Sequence, residues 1–541
     1  LSNVRRVVPF LPPRASFPRW LLLSPPNCSR SFSRTVQRRP PINLNSATVE
    51  TNFIPTMTDG ISNSISSGRN KGSKNKDGSD AEMSQAPNPW PMNDNTMLGE
   101  TSDEMNDARL KQIAAQGSAH FHRLGWKRLA VVTIVEAVAL GALSLPSAYH
   151  TLGMFPGVFL TITIGMLSIF TSYLVGRVKL AHPHVANYAE AGRLLFGRYG
   201  RIGYELFGAA LVLELVMVVG SHALTGSIAL VDINGGHVCS IVFSAVSAII
   251  LLILAIPPSF TEVAILGYID FVSIVAAIGI TVIATGIQAN KAPGGLSAVE
   301  WSAWPKEGVS FSEAFVAVSN IIFAFSFAIG QFSFMDEMHT PTDYMKSIWA
   351  SGGIQISIYT ITGALCYAFI GPSVQSPALL SAGPLISKIA FGVAIPVIFI
   401  SGSINSTVAL RYIHGRMYKN SHLKYINTPM GWASWIILVV IFTLIAWVIA
   451  EAIPIFSDLL SLASALFVSG FSFYIPAIMW FAILCKGKWF ARENILISLG
   501  SILAFIVGAV TLVAGTYSTI VDIINETTTG SAHKPFACRS S

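Results

Sequence analysis

Eleven apolar runs, each about long enough to cross a hydrocarbon layer, set the terms for this chain. A bilayer core about 30 Å thick needs roughly 20 apolar residues in helical form. Helices are required because lipid offers no partner to backbone polar groups. From Leu129 onward the runs lie near 129–150, 154–178, 204–230, 238–257, 264–288, 311–334, 348–370, 384–410, 432–450, 455–484 and 494–520. The least distinct division is in 129–178, where Gly153 and Pro156 leave room for a very short turn. Only 12% of the 541 residues are charged and 52% are hydrophobic, against roughly 25% charged in a soluble domain. The chain is therefore predicted to be an all-α integral membrane protein of about eleven transmembrane helices in one bundle.

The loops orient the bundle. With the N-terminal segment in the cytoplasm, the inner loops carry Arg177, Lys179, Arg193, Arg198, Arg201, Lys346, Arg411, Arg416, Lys419, Lys424, Lys486, Lys488 and Arg492. The outer segments carry Lys291, Lys306, Lys388, Lys534 and Arg539. Thirteen against five follows the positive-inside rule. The net charge of +7 is thus read as an orientation signal, with the lipid bilayer and not a nucleic acid as partner. An odd number of spans places the C-terminus outside, where Asn525-Glu526-Thr527 forms a glycosylation sequon at Asn525. Asn405-Ser406-Thr407 has the same pattern but lies within the eighth run, beyond reach of glycosylation.

Residues 1–120 are read as a disordered cytoplasmic segment, 121–520 as the membrane domain and 521–541 as a short extracellular or lumenal tail. Residues 1–49 hold eight arginines and no acid before Glu50, a pattern similar to a mitochondrial transit peptide. The chain begins with Leu1, and Met57 opens a segment of low hydrophobicity, so residues 1–56 are taken as a non-native extension in preference to a working presequence. Residues 69–104 are rich in Ser, Asn, Gly, Lys and Asp, a composition that cannot bury enough apolar surface to fold. Cys28, Cys239, Cys366, Cys485 and Cys538 show neither metal-ligand spacing nor a paired framework. They are read as small apolar residues, and no metal site is expected.

Two runs carry helix-breaking signals. The first contains Gly141-Ala142-Leu143-Ser144-Leu145-Pro146, where proline in mid-membrane predicts interrupted helical hydrogen bonding. The sixth contains Phe325-Ser326-Phe327-Ala328-Ile329-Gly330-Gln331. Runs 1 and 6 are corresponding members of two five-helix halves, and interrupted segments at matching positions point to a binding site between inverted repeats. The competing reading is close helix packing through small residues. Exposed amides at a broken end suit a carboxylate, aided by the helix dipole, and exposed carbonyls suit an ammonium group. Backbone alone can thus hold both ends of an amino acid, and the apolar surroundings favour a neutral side chain.

From Phe121 to Tyr517 the sequence resembles the amino acid/auxin permease family, especially its fungal neutral amino acid permease branch. The resemblance rests on the order of Gly125-Trp126-Lys127-Arg128, Gly141 to Pro146, Thr171-Ser172-Tyr173-Leu174-Val175-Gly176, Tyr188-Ala189-Glu190-Ala191-Gly192-Arg193 and Gly220-Ser221-His222. It implies an eleven-helix permease with a five-plus-five inverted-repeat core, broken helices 1 and 6, and amino acid import coupled to protons or, in some branches, sodium. Many members carry histidine after the glycine of run 6. Gln331 stands here instead and cannot titrate, so a proton role does not transfer to it.

The substrate set is read as Gly141, Ala142, Leu143, Ser144, Phe325, Ala328, Gly330 and Gln331, with Phe325 as an aromatic lid by resemblance alone. Ionisable groups inside spans are functional candidates by default. Glu136 is the candidate proton carrier, against a structural carboxyl. Glu214 and His222, eight residues apart on run 3, face similarly, with His222 a packed hydrogen bonder or a relay. Asp270 and Asp458 are placed near span ends as interfacial groups. Ser403, Asn405 and Thr407 on run 8 offer oxygen ligands for sodium or plain interhelical hydrogen bonds.

The expected function is secondary active transport of neutral aliphatic or aromatic amino acids, by proton symport, at the plasma membrane. The alternatives are a sodium-coupled or vacuolar transporter, or an amino acid sensor. No cofactor is expected beyond the coupling ion. Neither a His-Glu-x-x-His helix nor a Gly-x-Ser-x-Gly elbow is present, and no catalytic residues are assigned.

Overall fold

The protein is represented by a computed structural model that describes residues 124–258, 260–419, 421, 423, 426, 428–529 and 535–538. The expected segment 1–120 lies outside these residues. The described chain is helical nearly throughout. α1 spans Trp126–Leu152, α2 Met154–Ala181, α3 Tyr188–Leu195, α4 Gly200–Asn234, α5 Ser240–Leu254 and α6 Phe260–Lys291. α7 (Phe311–Ala324) and α8 (Gln331–Asp336) flank a gap, followed by α9 (Tyr344–Ile370), α10 (Pro384–Met417) and α11 (Pro429–Ala452). α12 begins at Phe456–Ala463 and winds on, with π-helical turns over Ser464–Tyr474 and Trp480–Leu484. α13 begins at Ile495–Val510 and continues through Thr511–Gly515 to Thr516–Thr529. It thus runs past the expected end of the membrane domain at 520.

Among the described residues nine helices are long and apolar enough to cross a membrane, and Ser240–Leu254 and Phe311–Ala324 are shorter apolar helices. These match the eleven runs in order. Composition decides which sit inside. α1 is lined on all sides by Ala, Gly, Val and Leu, and 94% of its apolar window is buried. A helix apolar all round belongs in the interior, and small side chains let neighbours approach closely. α1 accordingly packs against α9, α7, α6 and α10. α13 buries only 28% and presents Leu496, Leu503 and Val513 outward.

The expected break in the first span is absent. α1 passes through Pro146 as one helix. Proline removes a single backbone donor, and two serine hydroxyls bond back to carbonyls of the same turn. Ser144 Oγ donates to the Gly141 carbonyl at 3.0 Å and Ser147 Oγ to that of Ser144 at 2.8 Å. With packing on every side, the helix has nowhere to bend.

The reading of the cysteines is also corrected. Cys239 and Cys538 form a disulfide that joins the α4–α5 connection to the C-terminal tail, while Cys366 and Cys485 are free. Disulfides persist on the oxidising side of a membrane, which agrees with an external C-terminus. The tail is further held by Ser240 Oγ donating to the Ala537 carbonyl at 3.5 Å and by Phe536 against Trp447. If a protease site is inserted in the 486–494 connection and cleaved, the two fragments should migrate together without reductant. Reductant should separate them, and Cys538→Ser should separate them without it.

Candidate functional site

The sixth span breaks as its small residues predict. α7 starts with a capping box, in which Ser310 Oγ accepts from the Glu313 amide and Glu313 reaches back to the Ser310 amide. Such a cap fixes the helix start. α7 ends at Ala324, and Phe325–Gly330 turns through short-range bonds, including Ile329 N to Ser326 O at 3.1 Å and Gln331 N to Ala328 O at 3.2 Å. Backbone released inside a membrane must find partners or line a cavity. Here Ser168 Oγ on α2 donates to the Phe325 carbonyl at 2.9 Å. Phe325 is fully buried, its ring edge-to-face with Tyr359 at 5.1 Å.

Gly141 brings α1 against this break. A Cβ there would stand 2.9 Å from Cα and Cβ of Ala324 and 3.0 Å from the Tyr359 hydroxyl. Gly141, Phe325 and Tyr359 thus meet at one point, and Ala142, Leu143, Ser144, Ala328 and Gly330 are buried in the same two elements. Gln331 is turned aside. Its Nε2 donates to the Ser172 carbonyl at 2.8 Å, anchoring α8 to α2.

The two ends of the bundle differ. At the end that carries the disulfide-held tail, read from the loops as the outer one, a cavity of about 450 Å³ lies between the ends of α1, α7 and α13 and descends along α7 to Asn320. At the inner end, beneath Gln331 and Thr133, about 10 Å³ is free. That end is closed by ion pairs. Lys179 on α2 binds Asp336 at 2.7 Å and also the carbonyls of Pro183 and Val185. Arg411 on α10 pairs with Glu337, just past α8. Leu124 straps the entry to α1 over the same place, its amide bonded to the Glu337 carbonyl at 2.9 Å and its carbonyl to the His339 amide at 3.1 Å.

A second polar group lies deeper. Glu136 on α1 and Glu214 on α4 are buried within electrostatic range of one another, and Tyr359 is within range of Glu136. Both Glu214 oxygens and Glu136 Oε2 are without hydrogen-bond partners. Ser401 on α10 donates to the Glu136 carbonyl at 3.1 Å and lies 3.4 Å from His222 Nε2. Ser401 and Tyr359 were not singled out from sequence, since isolated hydroxyls in apolar runs carry no spacing signal.

The run 8 set is not one cluster. Ser403 donates to Ile400 O at 2.7 Å, Thr407 to Ser403 O at 2.9 Å and Asn405 to Ser401 O at 3.2 Å, all within α10. Helical spacing puts Asn405 on the Ser401 face and turns Ser403 and Thr407 away from it. Asp270 and Asp458 are fully buried within the protein, Asp458 in the first turn of α12. Asn525 sits on helical α13 beside the outer cavity, not in a loop.

The chain as a whole is similar to known proteins. Residues 122–521 match the family described as "Transmembrane amino acid transporter protein". The chain is 55% identical over 453 residues to the "N amino acid transport system protein" of Neurospora crassa, covering 83% of this chain and 96% of that one. It is 27% identical over 419 residues to a "Transmembrane transporter" of Fusarium pseudograminearum, covering 77% and 87%. Among solved structures, MhsT in complex with L-phenylalanine aligns at TM-score 0.48 and 14% identity, covering 73% of this chain and 97% of that one. With a match spanning most of its length and a relative this similar, the chain belongs to the transmembrane amino acid transporter family.

Proposed function

We propose that this transporter carries neutral amino acids inward by proton symport. The observation that carries the reading is the break at Phe325–Gly330, which faces Gly141 between an outer cavity and a sealed inner end. Released amides and carbonyls there suit a zwitterion. The surrounding side chains are apolar or uncharged, which favours a neutral substrate over a charged one. Phe325 and Tyr359 supply the aromatic wall.

Glu136 and Glu214 support the proton. Two buried carboxyls within electrostatic range of one another stand inside spans, where such groups commonly mark proton relays. A cycle follows in which the pair takes a proton from the outer side with the substrate and releases it inside. The α10 hydroxyls at 403 and 407 donate within their own helix and keep lone pairs on oxygen, so sodium replacement is part of the test.

Uptake of a labelled panel of aliphatic, aromatic and charged amino acids in a transport-deficient cell tests the reading. Neutral substrates should accumulate, an uncoupler should abolish accumulation, and sodium replacement should leave it intact. Glu136→Gln should still exchange substrate yet fail to concentrate it. One pH unit supplies about 1.4 kcal/mol, roughly tenfold accumulation per proton, so the loss is readily measured. If Glu136→Gln concentrates substrate as wild type does, the proton is carried elsewhere.

A further inference from the structure

We propose that Asp458, Asp522 and Glu526 form a binding site for a hard divalent cation, calcium by ligand chemistry, in the wall of the outer cavity. One carboxylate stands on α12 and two on α13, the next helix in the chain. One oxygen of each lies within 4.8 Å of the others.

The register that makes the cluster is set one turn deeper. Ser461 on α12 and Thr519 on α13 share a hydrogen bond of 2.6 Å between their hydroxyls. Three residues outward on each helix stand Asp458 and Asp522, brought face to face by that pin. Glu526, four residues beyond Asp522, falls on the same side of α13.

Asp458 is the telling member. It is fully buried, and neither carboxylate oxygen has a hydrogen-bond partner among the described residues. An acid in the first turn of α12 is favoured by the helix dipole, so Asp458 alone would need no further account. Asp522 and Glu526 have no such help. They lie towards the C-terminal end of α13, where the dipole opposes negative charge, and no basic residue occupies its last turn. Glu313 on α7 adds a fourth acid within electrostatic range of Asp522. Buried charges persist when paired with an opposite charge or a metal, and a shared cation between the two helices supplies it.

The chemistry selects the ion. The donors are all oxygen, which suits hard cations. Calcium takes six to eight oxygens at roughly 2.3–2.6 Å, so ligands on opposite sides stand up to about 5 Å apart, which accommodates this triangle. The Ser457 hydroxyl and Asn525 amide line the same cavity, and water completes the shell. Sites of this kind facing the exterior bind calcium with dissociation constants of about 0.1–1 mM. Calcium would clamp the outer ends of α12 and α13 beside α7.

The test uses the purified full chain in lipid nanodiscs without amino acid, so its outcome is independent of the substrate or coupling ion. Equilibrium binding of radioactive calcium should saturate near one ion per chain. The melting temperature should rise with millimolar calcium over chelator, and less with magnesium. Asp522→Asn and Glu526→Gln, the less buried members, should each weaken binding at least tenfold. Asp458→Asn should abolish it while the Cys239–Cys538 disulfide still forms. No saturable binding by wild type, or equal binding by Asp522→Asn and Glu526→Gln, overturns the site. A wild type indifferent to calcium but stabilised by Asp458→Asn would mark a protonated acid cluster instead, and also overturns it.

Discussion

Gly141→Leu should abolish amino acid uptake while the protein still reaches the membrane, and Gly141→Ala should already cut uptake at least tenfold. The reason is what the new atom meets. Cα of Ala324 belongs to backbone at the last turn of α7, where the break begins, and cannot rotate out of the way. Relief therefore means pushing α1 and α7 apart, or displacing Tyr359 from Phe325. Overpacking of this kind typically costs 1–3 kcal/mol, taken directly from the geometry of the substrate contact. Gly330 offers a contrast. A Cβ there meets the ring of Phe334, a side chain on the adjoining α8, and a ring yields more easily than backbone. Gly330→Ala should be the milder change. Initial uptake rates normalised to surface protein decide the matter, and wild-type rates in Gly141→Ala beside a dead Gly330→Ala would reverse the assignment.

The second large effect is expected at the inner seal. Glu337 is 1% exposed and Arg411 is 23% exposed. Removing one partner of a buried pair costs about 3–5 kcal/mol when the other charge is left uncompensated, and Asp336 within electrostatic range of Arg411 softens the loss. The closed inner end should lose most of that, because the pair links α10 to the end of α8. Glu337→Ala should shift the population towards an inward-open form. A cysteine placed at Thr133, in the small inner cavity, should then react faster with a permeant thiol reagent by tenfold or more. Cys28, Cys366 and Cys485 are replaced beforehand. Glu337→Asp, which keeps the charge, should restore much of the protection, and unchanged labelling in Glu337→Ala would exclude the pair as a gate.

Much of the architecture was legible in the sequence because the bilayer imposes a simple rule of length and polarity. The runs near 129–150 and 384–410 matched α1 and α10 for that reason. The break before Gly330 was readable from a local excess of small residues. The same logic failed at Pro146, since whether a helix bends depends on neighbours that only the packed bundle supplies. Burial was misjudged for Asp458, which stands in the first turn of its helix, near the span end as read, and yet is fully buried. The Cys239–Cys538 pairing had no sequence signal, as spacing reports nothing about partners 299 residues apart. Ser401 was passed over for Ser403 because the helix face that meets Glu136 cannot be told from run 8 alone.

The strap at Leu124 gives the preceding chain mechanical leverage. Its two backbone bonds grip Glu337 and His339, on either side of Met338 and next to the ion pair that closes the inner end. Parting α8 from α10 and peeling the strap are thus coupled events. Coupling of that kind works in both directions. Whatever holds the strap down resists inward release, and whatever draws it away lowers the work of opening by the same amount.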